Sequence, residues 1–143
     1  MAKTVCTILG VVFILVGILG FLAPGLLGMH LSPVHNVVHL VSGAAALYLG
    51  LKGTLSAAKL FCLAFGAVYL LLGVAGFLFG DNVAHAVTSV PPHTSDSSLL
   101  ALLPRQFEVA SMDHIVHLLL GVVLLVGGLM SRPDVDRAVD RAT

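Results

Sequence analysis

Two short motifs hold most of the chemistry this chain can offer. His35-Asn36-Val37-Val38-His39-Leu40 and Asp113-His114-Ile115-Val116-His117-Leu118 carry four of its seven histidines. Residues three and four apart share a helix face. His35, Asn36, His39 and Gly43 therefore fall within about 100° of arc, as do Asp113, His114, His117 and Gly121. Neutral imidazoles in this array suit a divalent transition metal, with Asp113 as ligand or as orienter of a ligand. The candidate metal set is His35, His39, Asp113, His114 and His117. Two other readings fit the same residues. One places a haem or other tetrapyrrole between the helices, with His39 or His117 as axial ligand. The other uses the imidazoles and Asn36 for hydrogen bonds between helices. If a cofactor binds, His39 and His117 are its primary ligands, being the deepest pair.

The elements that carry these motifs follow from composition. Of 143 residues, 58% are hydrophobic and only 10% charged, and the mean hydropathy is +1.07. A soluble domain carries about 25% charged residues, so the solvent here is lipid. A helix needs about 20 apolar residues to cross the bilayer core. Residues 4–22, 34–51, 57–79 and 112–130 meet that need or come close. Pro24-Gly25, Gly53 and Pro91-Pro92 separate them, and Ser32-Pro33 reads as an N-cap followed by proline at the first helical position. The expected fold is an all-α bundle of four transmembrane helices, forming one integral membrane domain over residues 1–143. An outer loop spans 80–111, where 99–103 reads as a short apolar turn, and a tail spans 131–143.

The chain repeats itself. An offset of 56 pairs Lys3 with Lys59, Cys6 with Cys62, Gly10 with Gly66, Gly17 with Gly73 and Gly20 with Gly76. An offset of 78 pairs His39 with His117, Gly43 with Gly121 and Gly50 with Gly128. Residues 2–51 and 58–129 thus read as duplicated helical hairpins. Both copies enter the membrane in the same direction, so the expected relation is a pseudo-twofold along its normal. That relation would bring spans two and four together, with their polar strips facing. It also argues against reading the first span as a cleaved signal peptide, since a removed segment has no reason to match a retained one.

Lysine and arginine set the orientation. Lys3, Lys52, Lys59, Arg132, Arg137 and Arg141 fall on one side, and only Arg105 on the other. Both termini are expected in the cytoplasm of an inner-membrane protein, with every histidine in the outer half. Cys6 and Cys62 then lie near the cytoplasmic end, as inert small residues. Asp81-Asn82-Val83-Ala84-His85 echoes the histidine motifs without an apolar span behind it.

The stretches 36–43, 113–121 and 66–73 resemble a family of small bacterial four-helix membrane proteins known only as a domain of unknown function. The resemblance implies fold and membrane location, and no activity. In that family asparagine commonly stands where this chain has His114.

The net charge is zero, which leaves no basic field for nucleic acid. No nucleophile with a base, paired carboxylates or phosphate loop is present, so no catalysis is expected. The leading expectation is an accessory or structural subunit that packs against other membrane subunits, or against itself, in the lipid bilayer. The alternative is a metal- or haem-binding protein that uses the outer histidine cluster.

Overall fold

The computed structural model describes residues 1–80, 98–103 and 106–132. His85, His93, Arg105 and the charged tail lie outside the described residues. Four helices dominate: α1 (Ala2–Leu22), α2 (Pro33–Leu51), α3 (Leu55–Phe79) and α4 (Ser111–Leu129). Each is long and apolar enough to cross a membrane. At 1.5 Å per residue, the 21 residues of α1 span about 31 Å, matching the bilayer core. The first cap forms where the sequence placed it. The Ser32 hydroxyl accepts the His35 amide at 3.3 Å with Pro33 at the first position. Thr54 does the same for Ala57 at 3.2 Å, which starts α3 two residues before the expected boundary.

Burial runs opposite to that of a soluble bundle. Leu22, Leu60, Leu71, Leu78 and Leu119 are exposed, while His35, Asn36, His39, Asp113, His114 and His117 are buried. Only a lipid solvent makes that distribution favourable.

The helices form two hairpins, α1 with α2 and α3 with α4. Lipid removes the hydrophobic drive between spans, so close backbone approach must hold them. Gly10 supplies it in the first hairpin: a β-carbon there would sit 2.6 Å from the Leu47 backbone nitrogen. Gly66 supplies it in the second, where a β-carbon would sit 2.9 Å from the Leu125 nitrogen. Leu47 and Leu125 are themselves 78 positions apart.

The hairpins meet chiefly through α1 and α3. Cys6 and Cys62 touch there, Sγ to Sγ at 3.5 Å. Their thiols also reach across reciprocally, to the Ala58 and Ala2 carbonyls at 3.6 and 3.8 Å. One level further along, the Phe13 and Tyr69 rings lie 5.6 Å apart. This differs from the expected meeting of spans two and four, whose backbones scarcely touch. Small thiols let α1 and α3 close up, and long imidazoles bridge the wider gap between α2 and α4.

The connections at the histidine end also depart from expectation. Residues 100–103 form a strand, not an apolar turn: β1 (Leu100–Leu103) pairs antiparallel with β2 (Phe107–Val109). In the first hairpin a 3-10 turn, Leu26–Gly28, leads into an inward-folded segment containing His30. Leu27 holds φ 55° there, a left-handed conformation that costs a residue with a β-carbon about 1 kcal/mol.

Candidate functional site

Three imidazoles converge between the hairpins. His35 and His39 stand one turn apart on α2, and His117 reaches in from α4. Their metal-ligating atoms all lie within 4.8 Å of one another. The His35 and His39 rings meet edge-on, 4.6 Å between centroids, and His35 lies 5.9 Å from His117. Aromatic rings wall the cluster. Phe13 of α1 lies 5.6 Å from His39, and Tyr69 of α3 lies 5.1 Å from His117. Phe107 of β2 covers the cluster from the strand side, 5.3 Å from His35. Every helix and one strand therefore contribute to the enclosure.

Hydrogen bonding decides which atoms can coordinate. The His35 Nδ1 lies 3.0 Å from the His30 carbonyl oxygen. A carbonyl only accepts, so Nδ1 carries the proton and Nε2 is the nitrogen left for a ligand bond. Both ring nitrogens of His39, and Nδ1 of His117, find no hydrogen-bond partner among the described residues. Each buried polar atom left unsatisfied costs about 1–3 kcal/mol. A cation among the three rings would relieve that cost. Zinc–nitrogen bonds of about 2.0–2.1 Å set ligand nitrogens at most about 4.2 Å apart, so the rings need draw in only slightly.

Asn36, Asp113 and His114, also singled out by the sequence, take other positions. Asn36 packs over Gly20 and donates from Nδ2 to the Leu31 carbonyl at 3.2 Å. His114 packs over Gly76 and donates from Nε2 to the Ser98 carbonyl at 2.6 Å. Each fastens the connection within its own hairpin. The Asp113 carboxylate turns back along α4, where Oδ2 accepts the Ala110 amide and the His30 amide, both at 2.8 Å.

Sequence reasoning missed His30 and Glu108. Glu108 is fully buried, with Oε2 3.9 Å from His30 Nε2. A lone glutamate between Phe107 and Val109 reads as the outward residue of a strand. The chain instead folds it against the bundle. His30 carried one legible signal, its place just before the Ser32-Pro33 cap, which ties it to the start of α2.

A four-helix bundle with apolar flanks and buried polar groups at one end is a small integral membrane protein. The chain belongs to the family described as a domain of unknown function, DUF4383, which matches residues 3–104. His35 and His39 fall inside that match, and His117 lies beyond it. No curated protein and no solved structure matches the chain.

Proposed function

We propose that this membrane protein binds a divalent transition metal through His35, His39 and His117. One observation carries the reading: three buried imidazoles converge within 4.8 Å, and two of them hold ring nitrogens without a hydrogen-bond partner among the described residues. Interhelical hydrogen bonding, the plainer use of such residues, would have paired those atoms. A tetrapyrrole is disfavoured by packing. Its ring, set between His39 and His117, would have to displace His35, Phe13 and Tyr69. Zinc or cobalt(II) titration of the detergent-purified full chain tests the proposal. One equivalent bound, with cobalt absorption typical of nitrogen ligands, supports it; absence of stoichiometric binding by the wild type overturns it.

We also propose that the chain serves as an accessory or structural subunit of a larger membrane assembly. Glycine-rich helices suit packing against neighbouring subunits. Gly10, Gly17, Gly43, Gly66, Gly73 and Gly121 all face helices of this same chain. The remaining support is the broad exposed apolar surface, which lipid alone can satisfy. Co-purification of stoichiometric subunits in mild detergent would favour it.

The matched contacts at offsets of 56 and 78 support an origin by duplication. We also propose that both termini are cytoplasmic and the histidine end faces outward, on the lysine and arginine asymmetry. Impermeant labelling of intact cells should modify Ser95→Cys and spare Ser56→Cys; the reverse pattern overturns the orientation.

A further inference from the structure

We infer that the histidine site is built for a doubly charged cation, balanced by two buried carboxylates, Asp113 and Glu108, that act through His30. This rests on the metal-binding reading above and adds to it the residues that balance the ion's charge.

The three ligating side chains are neutral imidazoles, so a divalent ion among them brings two uncompensated charges into a water-poor interior. Such burial is costly unless opposite charge lies close by. His30 brings it. Its amide donates to Asp113 Oδ2 at 2.8 Å, its ring lies 3.9 Å from Glu108 Oε2, and its carbonyl accepts from His35 Nδ1 at 3.0 Å. Asp113 is 2% exposed and Glu108 is fully buried, so solvent screens neither. In a low-dielectric interior their attraction for an ion extends over several ångströms.

The link to His35 has a second consequence. A ligating histidine whose other nitrogen donates to a fixed acceptor is held in one tautomer and made a better ligand. Asp113 lies on the second hairpin and holds the His30 backbone of the first. It is therefore a positioning residue for His35 as well as a source of charge.

A singly charged soft cation on the same three imidazoles needs far less compensation. Silver(I) therefore serves as a control for the ligand cage itself. Zinc and silver titrations should be run on the full chain as wild type, Asp113→Asn and Glu108→Gln. Each substitution is expected to weaken zinc binding by about 10- to 100-fold, with silver binding close to wild type. Equal zinc affinity in a folded Glu108→Gln chain overturns the inference while leaving the metal site standing. So does a parallel loss of zinc and silver, which signals damage to the cage. If the wild type binds neither zinc nor cobalt, the underlying reading fails with it. Asp113 also satisfies the first turn of α4, so Glu108→Gln carries the decision if Asp113→Asn unfolds.

Discussion

The two hairpins pack alike, yet their polar residues do different work. Gly17 of the first faces Leu40, and Gly73 of the second faces Leu118 at the corresponding place. Gly43 approaches the Ile14 nitrogen as Gly121 approaches that of Leu70. At the histidine end the side chains diverge. His39 and His117 keep the same residue type and both enter the cluster. Asn36 and His114 differ in chemistry and share a task, each holding the connection within its own hairpin by a backbone carbonyl. His35 and Asp113 differ in both respects: one contributes an imidazole, the other a carboxylate that grips the opposite hairpin. Helix packing tolerates little change where backbones touch. A polar layer near the end of a bundle can diverge, because each side chain needs only some partner within reach.

The largest expected effect tests the pair that stayed alike. His39→Ala and His117→Ala should each lower zinc affinity by at least about 100-fold in calorimetric titration, since each removes a ligand from a set of three. A large loss from one and none from the other would break the equivalence. Acid should act on both hairpins at once. Coordination needs neutral imidazoles, so zinc affinity should fall once acid protonates the rings. Titrations at three pH values read this directly.

Packing comes next. Gly10→Ala and Gly66→Ala each drive a β-carbon into a facing helix backbone. Both should destabilise the bundle, by about 1–3 kcal/mol in detergent unfolding. Loss at one position alone would show that the hairpins are not mechanically equivalent. A smaller effect sharpens the divergent layer. His114→Asn retains a donor at the position where Asn36 stands in the first hairpin, and should cost about 1 kcal/mol or less. His114→Ala should cost more, because the Ser98 carbonyl loses its donor. The smallest effect lies in the first connection. Leu27→Asn suits φ 55° and should raise stability by about 0.5–1 kcal/mol, read as a higher melting temperature.

Much of the bundle was legible in the residues themselves. Four spans follow from composition, because a bilayer leaves the helix as the local structure that pairs every backbone group within one segment. The pairing into hairpins is read from the offsets of 56 and 78, and the start of α2 from Ser32-Pro33. Helical periodicity also placed His35 and His39 on one face. Periodicity is silent about depth across a gap between helices. It could not say that His117 would complete the cluster while His114, three residues earlier, would turn to Ser98 within its own hairpin. That choice depends on Gly76, which leaves room above α3 for the His114 ring. Nor could a single glutamate between apolar neighbours announce its burial: Glu108 goes inward only because β2 lies against α2. The sequence alone determined which residues avoid lipid, since transfer free energy belongs to each side chain. Which of those residues meet, and by which atom, was decided by the tertiary structure, because hydrogen bonds and ligand geometry depend on distances set by every helix together.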